Sequence, residues 1–205
     1  MRHLAWIILC FYVANFMGAI KCYYDPLYLG CFKVPASWLI YLFGATNPVD
    51  WKLMFNVADK YRQRHVDYPN IGDELKGLRI KMPNYTMVVF IVHGFGKSES
   101  EWPDIRTNIE RGGRIVIVPK WLGGQLFGDY FPGNYVRAVS NTRVMGAIIA
   151  NLMGIMSDHH KIPADDFQVI GFSLGAQTAR LACNPISIEQ IGAILALDLA
   201  GPSSD

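Results

Sequence analysis

Four short apolar runs that scarcely alternate with polar residues constrain this chain most. They are Met87-Val-Val-Phe-Ile-Val92, Arg114-Ile-Val-Ile-Val-Pro119, Phe167-Gln-Val-Ile170 and Ile194-Leu-Ala-Leu197. A strand with one wet face alternates with period two, whereas a strand buried on both faces reads as a continuous apolar run. The first run stops at His93-Gly94, the third at Gly171 and the fourth at Asp198. Between the second and third lies the strongest helical segment, Tyr135 to Asp158. Its Val136, Val139, Met145, Ile148, Ile149, Leu152, Ile155 and Met156 approximate one stripe. Buried strands alternating with helices predict the α/β class: a mostly parallel sheet flanked by helices. With 51% hydrophobic residues the chain has the material for such a core, which excludes a disordered chain. A net charge of +2 gives no electrostatic footprint for a nucleic-acid partner.

The N-terminus reads differently. One positive charge at Arg2 precedes the uncharged stretch Leu4 to Ile20, whose apolar core Leu4–Val13 has the length of a signal-peptide core. Gly18 and Ala19 offer the small residues of a cleavage site. The domain reading is therefore 1–19 as signal peptide and 20–205 as the folded part, secreted and extracellular. A retained membrane anchor is the alternative, since the run just reaches the lower limit for a span. Beyond the leader, Cys22 and Cys31 can close a short loop in an oxidising compartment, leaving Cys183 over. Asn84-Tyr85-Thr86 is a glycosylation sequon at Asn84. Trp38–Phe43 reads as a strand, and residues 50–84 as loop with one weak strand.

Gly171-Phe172-Ser173-Leu174-Gly175 fits G-x-S-x-G. It follows a buried run and opens a helical stretch from Leu174 to Cys183, the strand–turn–helix setting of a nucleophile elbow with Ser173 as nucleophile. Helix N-terminal N–H groups lie where a developing oxyanion needs donors. His93-Gly94-Phe95 follows the first run, where such folds place the second donor, so the two oxyanion N–H groups are assigned to Phe95 and Leu174. His93 precedes the serine in the chain and reads as a supporting histidine, not a base. Gly96-Lys97-Ser98 is no P-loop, because Ile91 stands where the motif's first glycine belongs. Asp198 ends the run that follows Ser173 and is the candidate acid of a triad.

Taken in order, these residues resemble the pancreatic lipase family of α/β-hydrolases, which includes triacylglycerol lipases, phospholipases A1 and non-catalytic yolk proteins. The resemblance runs through Cys22-Tyr23, Leu29–Phe32, Thr46-Asn47-Pro48, His93-Gly94-Phe95 with Trp102, Asn134-Tyr135, Asn141–Ala147, Ile170–Ala176 and Leu197–Pro202. It departs at Phe172, where the family usually has His, at Leu199, where it has Pro, and at Pro119-Lys120-Trp121, where it has Asp-Trp. The resemblance implies a secreted serine carboxylic-ester hydrolase acting on lipid at a membrane or droplet surface, with no cofactor and no metal. A non-catalytic lipid-binding or yolk-type relative is the alternative. The triad order of this fold is Ser, Asp, His. Yet His3, His65, His93, His159 and His160 all precede Asp198. The expectation is a chain that stops before its catalytic histidine and before the last strands of its sheet.

Overall fold

The computed structural model describes residues 20–23, 27, 29–33, 45–59, 62–80, 87–96, 113–121, 132–183 and 191–197. Two sheets occur among them. The small one pairs β1 (Ile20–Tyr23) with β2 (Gly30–Lys33) in antiparallel fashion, setting Cys22 opposite Cys31. Those two cysteines form a disulfide, so the loop that the sequence allowed is closed. A pair of four-residue strands is marginal alone. The Tyr23 hydroxyl anchors this one by donating to the Ala45 carbonyl at 2.7 Å.

The large sheet has six strands: β3 (Met54–Ala58), β4 (Gln63–Asp67), β5 (Val88–Val92), β6 (Ile115–Lys120), β7 (Phe167–Phe172) and β8 (Ala193–Leu197). Their order across the sheet is β4-β3-β6-β5-β7-β8. β6, β5, β7 and β8 run parallel, and β3 and β4 are antiparallel additions at one side. The main core lies on one face, where Phe55, Phe90, Val92, Ile117, Phe167 and Val169 meet the helices. Val89, Ile91, Val116 and Val118 form a second cluster. β5 alternates between the two clusters and is buried along its whole length, which is why its sequence shows no period of two.

Three α-helices complete the described structure: α1 (Ile71–Lys76), α2 (Pro132–His160) and α3 (Leu174–Ala182). None is long and apolar enough to cross a membrane. Met145, Ile148, Ile149, Leu152 and Met156 of α2 are fully buried, in line with the expected stripe. Val136 is 40% exposed and leaves it. The first half of α2 instead buries Asn134, Arg137, Ser140, Asn141 and Thr142. Asn141 explains one of these. Its Oδ1 accepts from the Thr46 amide at 2.8 Å, and the Thr46 hydroxyl accepts from the Trp51 indole N–H at 2.8 Å.

Two readings of the sequence need correction. Residues 50–84 are not mainly loop: they hold β3, β4 and α1. β4 has a single buried residue, Val66, and forms through main-chain pairing along β3, which leaves no apolar pattern to read. Arg64 then ties it down, pairing with Asp59 at 3.1 Å and with Glu74 of α1. The fourth apolar run is a strand but not a buried one. β8 is the outer strand of the described sheet, with Ile194 and Leu195 46% and 50% exposed. Residues 1–19, the Trp38–Phe43 segment, Asn84, Trp102 and Asp198 lie outside the described residues.

Candidate active site

β5 and β7 are parallel neighbours, with Val92 paired to Gly171. Both therefore end at one edge of the sheet, and the turns that leave them are adjacent. Chain connections from β5 go to β6 on one side, and those from β7 to β8 on the other. A crevice forms outside the carboxyl ends of strands at such a reversal. His93-Gly94-Phe95 and Ser173 meet there.

Ser173 joins β7 to α3 with φ 53° and ψ −119°. A positive φ is rare for a residue with a Cβ, and this pair of angles matches the first central position of a type II′ turn, normally a glycine site. Serine is a favoured helix N-cap. Here it occupies that position, yet its side chain makes no capping hydrogen bond. Its Oγ lies beside the β5 turn, 3.5 Å from where a Cβ on Gly94 would stand. The Ser173 amide is held by the Leu197 carbonyl of β8 at 3.0 Å. Asp198 follows Leu197 in the chain.

The two glycines of the motif are required by contact. A Cβ on Gly171 would overlap the Gly175 carbonyl, and one on Gly175 would overlap the Val92 carbonyl and approach that of His93 to 2.8 Å. Strand β7, helix α3 and the end of β5 are thus packed backbone on backbone. A Cβ on Gly94 would lie 3.0 Å from the Ser173 Cβ, so the β5 turn rests against the serine itself. Leu174 is buried at the first position of α3, where a helix N–H has no intrahelical partner. Phe95 is half-buried and packs edge-on against Tyr135 with ring centroids 5.5 Å apart. The turn then leaves through Gly96 at φ +68°.

The described histidines divide into His93 and the rest. His93 is buried, its ring nitrogen Nδ1 lies 2.9 Å from the Gly94 carbonyl, and its own carbonyl accepts from the Trp121 indole at 3.2 Å. His160 lies at the end of α2, with Nε2 2.7 Å from the Leu75 carbonyl and its ring against His159. That is the edge where β7 begins, a full strand length from Ser173. His65 stands on β4, four strands across from β7. Burial pushes the Cys183 thiol, at the far end of α3, up to about 11. Burial likewise raises the Tyr23 phenol to about 12, helped by the charge of Asp50 and opposed by Arg137. Among the described residues no cluster of His, Cys, Asp or Glu could hold a metal ion.

A family model described as Lipase matches residues 76–205, from α1 through the serine turn and beyond β8. The chain belongs to the lipase family. The family's fold is the α/β-hydrolase fold and its typical activity is lipid-ester hydrolysis, and the described residues of this chain form a six-stranded mixed sheet flanked by helices. Phospholipase A1 1 of Dolichovespula maculata is 32% identical over 148 residues, covering 67% of this chain and 45% of the wasp protein. Phospholipase A1 of Vespa velutina is 34% identical over 127 residues, 57% of this chain and 41% of the relative. Human pancreatic lipase-related protein 2 is 28% identical over 208 residues, 96% of this chain and 42% of the relative. The chain spans less than half the length of these relatives.

The sequence reading missed two features of the site. One is Trp121, seen only as a departure from the family pattern. The other is the direct contact of Gly94 with Ser173. Neither carries a motif of its own, because each depends on which strand lies beside which.

Proposed function

We propose that this chain carries the nucleophile and oxyanion donors of a secreted lipid-ester hydrolase, with Ser173 as the attacking residue. The observation that carries the reading is the backbone of Ser173: a positive-φ serine between a parallel strand and a helix, its hydroxyl not spent on capping. Strain of this kind costs on the order of 1–3 kcal/mol and persists only where the surroundings impose it.

The chemistry follows from these parts. Ser173 Oγ attacks the ester carbonyl carbon as its proton passes to an imidazole. The carbonyl oxygen becomes an anion and is held by the N–H groups of Phe95 and Leu174. The carbon–oxygen bond to the alcohol then breaks, and the leaving alcohol takes the proton. Water repeats the sequence on the acyl-serine and releases the fatty acid. Asp198 is the proposed partner that orients the imidazole. The described residues bring no histidine other than His93 toward Ser173, so the base is assigned to a residue outside them. No organic cofactor enters these steps. Triacylglycerol and phospholipid are both substrates of the proposed class, and the names of the relatives favour testing phospholipid first. The uncharged apolar run within residues 1–19, the Cys22–Cys31 disulfide and the sequon at Asn84 support the secreted reading.

The test is covalent labelling of the intact protein with a fluorophosphonate. The expected adduct sits on the peptide containing Ser173 and disappears in Ser173→Ala. An unlabelled, folded wild type would move the assignment to a non-catalytic lipid-binding relative.

A further inference from the structure

The turn after β5 contains two carbonyls with side-chain partners, and both bear on Phe95. The Gly94 carbonyl lies 2.9 Å from His93 Nδ1. A carbonyl only accepts, so Nδ1 carries the proton. The His93 carbonyl accepts from Trp121 Nε1–H at 3.2 Å. Each peptide unit is planar, with its C=O and N–H pointing in opposite directions. The Gly94 carbonyl and the Phe95 N–H belong to one such unit. Fixing that carbonyl therefore fixes the direction of the Phe95 N–H. The Trp121 bond does the same for the preceding peptide unit, so the two units before Phe95 are each held by a side-chain hydrogen bond. Trp121 has a firm base: it is 2% exposed, its ring lies 6.5 Å from that of Trp51, and Trp51 is bonded through Thr46 to Asn141 of α2. A hydrogen bond to an amide carbonyl also polarises its N–H, strengthening it as a donor.

We propose that His93 and Trp121 are positioning residues that aim the Phe95 N–H at the oxyanion, His93 through the Gly94 carbonyl and Trp121 through the His93 carbonyl. The proposal rests on Ser173 being the nucleophile. It gives His93 a task that needs no proton transfer, and it gives a role to Trp121, which touches no reacting atom.

An oxyanion hole discriminates oxygen from sulfur, because sulfur is larger and a weaker acceptor. The readout is therefore the rate ratio between p-nitrophenyl butyrate and its thionoester, measured on the intact protein. Trp121→Phe keeps the ring and deletes the donor. It should lower kcat by about tenfold with KM little changed, and lower the oxoester-to-thionoester ratio in step. His93→Leu should cost about a hundredfold, near the loss of a whole donor. His93→Asn places an amide nitrogen close to Nδ1 and should recover most of that loss. Ile148→Val, a core change in α2, controls for general destabilisation and should leave the ratio unchanged. A ratio in Trp121→Phe equal to that of the wild type would overturn the proposal, whatever happens to total activity. That comparison also decides the matter if His93→Leu does not fold. Fluorophosphonate labelling separates the two readings: an unlabelled Ser173 in the wild type removes the nucleophile and this proposal with it, whereas a labelled Ser173 with an unchanged ratio removes the proposal alone.

Discussion

The turn after β7 and the turn after β5 lie side by side at one edge of the sheet, but they are held by different means. The β7 turn is held by shape. Gly171 and Gly175 let strand, helix and neighbouring strand end touch backbone to backbone, and Ser173 takes up the strain at φ 53°. The β5 turn is held by hydrogen bonds from side chains, with His93 and Trp121 each bonded to one carbonyl. Shape tolerates no added atom. Hydrogen bonds tolerate a change of residue if the donor stays in place. The two turns should therefore fail differently when altered.

The largest effect is expected at Gly175. Gly175→Ala forces a Cβ into the Val92 carbonyl, with no flexible side chain to yield. Backbone must move, and the unfolding free energy should fall by about 3 kcal/mol or more in chemical denaturation. A loss below about 1 kcal/mol would show that the β7 turn has slack and would erase the contrast.

Gly94→Ala probes the contact between the turns. Its Cβ would lie 3.0 Å from that of Ser173, close enough to push the β5 turn by a few tenths of an ångström. Fluorophosphonate labelling should slow by about tenfold, with a stability loss of only about 1 kcal/mol. A stability loss of about 3 kcal/mol or more, as expected for Gly175→Ala, would mean that the two turns move as one body.

Ser173→Gly should act in the opposite direction. Glycine adopts a positive φ without steric cost, so relief of strain should raise stability by about 1 kcal/mol after allowing for glycine's greater freedom when unfolded. Labelling should vanish. A destabilised glycine variant would mean that the serine backbone is not strained.

The smallest effect concerns Cys183, at the other end of α3. Burial holds its thiol at about 11 against an ordinary value of 9, so the folded state keeps the proton where the unfolded state loses it. The resulting contribution to stability is complete below pH 9 and is lost as pH rises through 11. At pH 8 iodoacetamide should modify the folded wild type slowly, since only about a thousandth of the thiol is ionised. The same reagent should react faster in Gly175→Ala if that change undocks α3. Rapid labelling of the wild type would show that α3 opens without any change at the turn.

Much of this was legible in the chain itself. β5, β6 and β7 stand out as apolar runs, and α2 as a stripe through Met145, Ile149, Leu152 and Met156, because burial on both faces or on one face leaves a periodic trace. The G-x-S-x-G glycines were readable as a motif, but only Gly171 is constrained locally, by the Gly175 carbonyl, whereas Gly175 is constrained by Val92 and His93 from the neighbouring strand. β4 was not legible, since an edge strand that pairs through its main chain needs no apolar pattern. The exposure of β8 was hidden by the opposite effect, because its composition resembles an interior strand while its place among the described strands is outermost.

The sequence alone thus determined the class of fold, the position of the candidate nucleophile and the family, since each rests on local periodicity or on residues close together in the chain. The tertiary structure alone decided that Trp121 reaches the His93 carbonyl 28 residues away, that Thr46 reaches Asn141 across 95 residues, and that Gly94 lies against Ser173. Those contacts depend on strand order, and strand order is set by the packing of whole elements, which no short stretch of sequence encodes.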